Sequence, residues 1–138
     1  MTAHTDIRAA LESEIANVSG IPSAANRAWE NMRFAPTTGT AWVRMTLIPA
    51  ASRPAANGSD PQLLYEGLFQ VDLFVPEADG PSAADTLADA VRDRYKVGVT
   101  LTKNTTNVRF RYSERETGSI DGPWYQVPVS ISWYSYRS

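Results

Sequence analysis

Cysteine is absent from these 138 residues, and histidine occurs once, as His4. The first absence removes disulfides, thiolate nucleophiles and thiolate metal sites together. The second leaves any Ser/His/Asp arrangement dependent on a histidine beside the N-terminus, where chains fray. No G-x-G-x-x-G, P-loop, G-x-S-x-G or H-E-x-x-H pattern occurs. No apolar run reaches transmembrane length. The opening Met1-Thr2-Ala3-His4-Thr5-Asp6 lacks the basic-then-apolar order of a secretory leader. A basic excess is missing too. The formal net charge is −2, whereas a protein built to grip nucleic acid carries a positive balance. The expectation is a soluble protein made in a cytoplasm, with no membrane segment.

What is present is ordinary globular material. Hydrophobic residues make up 43% and charged residues 20%, which suits one domain over residues 1–138 with a real core. Ile7, Leu11, Ile15 and Val18 share one helical stripe, so a helix is expected over about Thr5 to Val18. Thr5 is its candidate N-cap and Asp6 suits the first turn. Residues 20–41 read as irregular, punctuated by Pro22, Pro36 and Gly39. They nevertheless carry Trp29, Met32 and Phe34, which must pack on the domain itself or on a neighbouring chain.

Strand signals follow. Val43, Met45 and Leu47 alternate with Trp42, Arg44 and Thr46 up to Pro49. Residues 50–62 are small and polar with two prolines, which reads as a flexible loop joining two strands. In Leu63–Val75, one face carries Tyr65, Phe69, Val71 and Leu73, while Glu66, Leu68, Gln70, Asp72 and Phe74 form a part-covered second face. Ser82-Ala83-Ala84-Asp85 matches a capping box and opens a helix to about Tyr95. A short strand is expected at Val99–Thr102 and another around Val108–Tyr112. Ser113–Gly122 reads as a loop, and Trp124–Tyr136 as a last strand placed at an edge or bulge by Pro128. The expected fold is α+β: an antiparallel-rich mixed β-sheet of about four to five strands with two α-helices packed on one face.

The candidates for chemistry are weak. Asp85, Asp89 and Asp93 line one helical face, but a row on one helix is a poor metal cage and reads as solvated surface. Glu66 and Asp72 are too far apart for a paired acid and base; surface charge or contacts with Arg109 or Arg111 suit them better. Lys103, Arg109, Arg111 and Arg115 form a basic cluster interleaved with Phe110 and Tyr112. Strict alternation sends the aromatics to the opposite face, which weakens a nucleic-acid reading. No residue is assigned to catalysis, metal or cofactor.

The order of two segments is nevertheless distinctive. Ala28-Trp29-Glu30-Asn31-Met32-Arg33-Phe34-Ala35-Pro36, then Trp42-Val43-Arg44-Met45-Thr46-Leu47-Ile48-Pro49, resembles the opening of phage tail terminator families. Tyr65-Glu66-Gly67-Leu68-Phe69-Gln70-Val71-Asp72-Leu73-Phe74-Val75-Pro76 follows. A turn containing Gly80 and a helix with Ala88-Asp89 continue the similarity, so that it covers residues 5–136. The resemblance implies a non-catalytic α+β subunit, without a cofactor, of a hexameric ring at the head-proximal end of the virion tail, assembled in the bacterial host cytoplasm. Such a ring stops growth of the tail tube, meets the tube protein and a head-completion or connector protein, and lets DNA pass through its lumen without specific binding. Another connector, completion or tube component is the nearest alternative. A small-molecule domain with its pocket on the second sheet face is more distant.

A closed ring joined head to tail needs two unlike patches on each subunit. Trp29, Phe34 and Trp42 are candidates for one. The 50–62 loop, with Arg53, Asn57 and Asp60, is the candidate for another. Leu68, Phe74, Arg109, Arg111, Tyr134 and Tyr136 are further contact candidates on the second sheet face.

Overall fold

The computed structural model describes residues 3–54, 62–78 and 80–137. Asn57 and Asp60 lie outside the described residues. The first apolar stripe forms helix α1, Ala3–Glu14, which tightens into a 3-10 turn over Ile15–Asn17. Because α1 begins at Ala3, Thr5 is inside the helix rather than its cap, and His4 is helical rather than frayed. Asp6 does more than favour the first turn. Its carboxylate is buried and accepts from Asn104 Nδ2 (2.9 Å), Arg137 Nη1 (3.0 Å) and Thr106 Oγ1 (3.4 Å). Burial alone would raise its pKa, but these donors and the Arg137 charge outweigh burial and hold it below the ordinary 3.8.

The strands in chain order are β1 (Arg27–Ala28), β2 (Trp42–Pro49), β3 (Arg53–Pro54), β4 (Leu63–Pro76), β5 (Leu101–Lys103), β6 (Thr106–Arg115), β7 (Ser119–Asp121) and β8 (Trp124–Arg137). Helix α2, Ser82–Arg94, lies between β4 and β5. The fold is mixed α+β, but among the described residues the sheet has 8 strands rather than four to five, in the order β1-β2-β4-β8-β6-β5 with β3 on β4 and β7 on β8. The additional β1, β3 and β7 span only 2, 2 and 3 residues, too short for alternation to register. All three fall inside stretches expected to be irregular or looped: β1 in 20–41, β3 in 50–62 and β7 in 113–122. β1 runs parallel to β2, and the remaining pairings are antiparallel.

Alternation decides what the sheet faces. Phe69, Val71, Leu73 and Val75 of β4 meet Val127, Val129, Ile131 and Trp133 of β8 in one buried cluster, which also takes Ile7 and Leu11 of α1 and Leu87 and Val91 of α2. Tyr95, just past α2, is buried there, and its hydroxyl donates to the Leu11 carbonyl at 2.7 Å. That satisfies one of the carbonyls α1 leaves open in its last turn. Ser82 is already helical and Pro81 holds the cap position without a side-chain bond, so the expected capping box does not form.

Pro128 is not at an edge, since β8 lies between β4 and β6. Its carbonyl accepts from Glu116 N–H at 2.9 Å, so its backbone groups point to the β6–β7 side. β6 pairing ends at Val129 and β7 pairing begins at Gln126. The missing N–H therefore falls in a gap between two partner strands, not in the β4–β8 ladder. Gly67 serves a second close approach. A Cβ there would meet the Ile48 carbonyl, Pro49 Cα and the Trp133 ring.

Candidate functional site

Among the described residues, no helix covers the face of the sheet away from α1 and α2, and its rows can be read from the register. At one end Trp42 pairs with Phe74, and Phe74 with Gln126. In the middle Arg44 pairs with Asp72 and Thr46 with Gln70. At the other end Ile48, Leu68, Ser132 and Tyr112 form one row, with Glu66, Tyr134 and Arg109 beside it. The face is thus aromatic at one end, ionic in the middle and mixed apolar and basic at the other.

The aromatic end is a small second core. Trp42 stacks on Phe74 with ring centres 3.9 Å apart and meets Trp124 edge-on at 6.1 Å. Phe34, half-buried, lies 5.1 Å from Trp42 and brings the 20–41 segment onto this cluster. Trp29 is half-buried against the main core instead. Trp42 and Phe74 are therefore buried within one chain, although the Trp42 indole N–H finds no acceptor among the described residues. Of the three large apolar groups in this segment, Met32 alone stays open, at 69% exposure.

The ionic middle is closed on itself. Asp72 is buried and accepts from Arg44 (3.2 Å) and Gln70 (2.9 Å), rather than from Arg109 or Arg111. The Arg44 guanidinium also covers the Phe74 ring at 5.1 Å. Glu66 does meet the basic cluster, taking Arg111 at 3.1 Å and Arg53 at 3.4 Å. Arg111 lies 4.7 Å above Tyr134, which touches Tyr136 edge-on at 5.9 Å.

A bulge between Phe110 and Tyr112 corrects the alternation expected in β6. Phe110 points to the helix side, but the extra residue brings Tyr112 out beside the arginines, where it is exposed. Tyr112, Ile48 and Ile120 are exposed apolar residues that the candidate contact set did not contain. Ile48 was legible, since it shares the parity of Arg44 and Thr46. Tyr112 was not, because a bulge leaves no mark in a period of two.

The charged groups Arg44, Asp72, Glu66 and Arg111 of this face are taken up in internal pairs. No group of three or more metal-ligating side chains occurs among the described residues. Asp85 pairs with Arg115 and Asp93 with Lys96, both at 2.8 Å. His4 sets its ring edge-on to Tyr65 at 5.4 Å, with no nucleophile in that contact. No helix among the described residues is long and apolar enough to cross a membrane.

Known proteins place this geometry. A family model described as phage tail terminator protein matches residues 6–133. No curated protein matches the chain. One solved structure aligns over 100% of this chain and 98% of its own, at 25% identity and TM-score 0.76. A second, titled as the virion of a native gene transfer agent particle, aligns over 98% of each chain at 14% identity and TM-score 0.60, a likeness of fold. The family match runs from within α1 to within β8, so the chain belongs to the phage tail terminator family, and its place is the tail of the virion.

Proposed function

We propose that the protein forms a ring of six copies at the head-proximal end of the tail tube, where it ends tube growth and offers the surface that receives the head. The observation that carries this is the sheet face left without a helix, which holds exposed Ile48, Tyr112 and Tyr136 beside arginines. Such a mixed patch suits a protein partner. The tube protein and a head-completion protein are the expected partners. In this reading the subunit performs no catalysis and needs no cofactor.

DNA would pass through the lumen without a specific grip. The supporting feature is the pairing of basic side chains inside the chain: Arg44 with Asp72, Arg53 and Arg111 with Glu66, and Arg115 with Asp85. Charges already neutralised in this way release few counterions from a phosphate backbone. The 50–62 loop, with Arg53 at its described start, is kept as a second contact region toward tube or connector.

Electron microscopy of particles made without this protein tests the role. The expected result is headless tubes of uncontrolled length. Tubes of normal length without heads would replace this reading with a connector role, and an absence of tubes with a tube role.

A further inference from the structure

We infer that Met32 and Arg33 of one copy dock into an apolar pocket, flanked in sequence by Glu77 and Asp121, on the opposite sheet edge of the next copy. The inference rests on the ring reading and names its junction.

The knob is a tight turn on the β1–β2 edge. Met32 N–H donates to the Trp29 carbonyl at 3.3 Å, and Asn31 takes a left-handed φ of 57° to close the turn. Both flanks are pinned. Glu30 accepts from Leu47 N–H (2.7 Å) and Arg8 (2.8 Å), and Phe34 lies on Trp42. A large apolar side chain is thus held 69% exposed on a fixed base, which lowers the ordering cost of burying it in a partner.

The socket lies on the other edge of the sheet, where β7 pairs with the start of β8. Pro76, Ala78, Gly80, Pro81, Ile120 and Tyr125 line a pocket of about 430 Å³. Its two sides are tied together by Glu77 N–H donating to the Pro123 carbonyl at 2.9 Å. Ile120 is 59% exposed, so its apolar surface is left open in the single chain. Glu77 and Asp121, both exposed, are the chain neighbours of lining residues Pro76, Ala78 and Ile120. Arg33, also exposed, follows Met32. The charges match in sign: apolar group with cation on one edge, apolar pocket with anions on the other.

Position supports the pairing. The register runs from Arg27 to Val43, then through β4 and β8 to β7, so knob and socket stand at opposite edges of one sheet. Two unlike patches on different sides are what head-to-tail closure requires. A second copy is therefore the occupant, and an isologous dimer is not.

The chain has no cysteine, which permits a clean test. Met32→Cys and Ile120→Cys are made as two separate proteins, one isotopically labelled, then mixed in equal amounts and oxidised. Disulfide dimers are sorted by mass. Random encounters give mixed dimers as half of the total. Docking should favour mixed over same-site dimers by roughly tenfold through effective concentration. Oxidation traps transient contacts, so a stable ring is not needed for the readout, and both positions are exposed enough to leave folding intact. A charge exchange adds a second readout. Arg33→Glu should lower the mixed yield when introduced with Met32→Cys, and Asp121→Arg with Ile120→Cys should restore it. Mixed dimers at or below half would overturn the inference. Closed rings of the unaltered protein in native mass spectrometry alongside that result would leave the ring reading standing. Absence of closed rings, both free and at tube ends, would remove the ring reading itself.

Discussion

The two edges of the sheet are finished in different ways. Along β2, backbone groups are taken up by other backbone or by a carboxylate. β1 pairs at Val43 and Arg44, and Glu30 receives the Leu47 N–H. Along the far edge of β6, no strand lies outside Arg109–Arg115 among the described residues, since β5 pairs only at Thr106–Val108. Side chains of α2 meet that edge instead. Arg92 Nε donates to the Ser113 carbonyl at 2.8 Å, and Asp85 pairs with Arg115 at 2.8 Å. An open edge invites uncontrolled strand pairing, and charge is a common protection. Here one edge is closed by structure and the other guarded by charge. Both devices disfavour open-ended sheet growth and leave side-chain contacts as the route to assembly.

The largest expected effect is at the closed edge. Trp42 stacks on Phe74 and receives Phe34, so Trp42→Ala should cost about 3–5 kcal/mol in urea unfolding. It should also free the 20–41 segment, seen as faster proteolysis there. An undisturbed segment would show that the closed edge is held by something other than this aromatic cluster. Gly67→Ala follows, at about 2–3 kcal/mol, because the new methyl meets backbone of Ile48 and Pro49 rather than a movable side chain. Its expected signature is loss of amide protection at the end of β2 with the β6–β8 pairing retained.

Glu30→Ala comes third, at about 1–2 kcal/mol, because it leaves the Leu47 N–H without its acceptor and releases Arg8. This contribution should depend on pH. Burial favours the neutral acid, but the Leu47 N–H and the Arg8 charge outweigh it and hold the carboxyl below its ordinary 4.5. The depressed value means that the stabilisation is full above about pH 5 and is lost as pH falls through the folded-state pKa. Unfolding curves of the parent and Glu30→Ala should therefore converge toward pH 3. Asp6 acts in the same direction at lower pH, from its ordinary 3.8 downward. It is present in both proteins and leaves their difference unchanged.

Periodicity made the long elements readable. β2, β4, β8 and both helices fall within a few residues of expectation, because each spans enough turns or pleats for an apolar stripe to repeat. The misses share one physical origin, which is that pairing partners are not local. β1 and β7 exist because a neighbouring strand offers them hydrogen bonds. Pro128 is tolerated mid-sheet because two partners leave a gap. The β6 bulge is set by its register on β8. The contact candidates divide along the same line. The parity that marked Leu68 and Tyr134 was visible in the chain, whereas the burial of Trp42 and Phe74 depends on Trp124 and Phe34 arriving from elsewhere.

The smallest expected effect falls on the open edge and sharpens the contrast most. Arg92→Ala removes the cap from the Ser113 carbonyl, as Glu30→Ala removes the acceptor from Leu47. Arg92 and Ser113, however, line an open groove of about 510 Å³ between α2 and β6, so water can replace the lost donor. The cost should stay below about 1 kcal/mol. The change should appear instead as concentration-dependent association, since an unguarded strand edge is a template for another strand. Light scattering across a dilution series reads this directly, with Glu30→Ala as the comparison. A cost in Arg92→Ala equal to that in Glu30→Ala, with no added scattering, would mean that α2 closes its edge as firmly as the 20–41 segment closes the other.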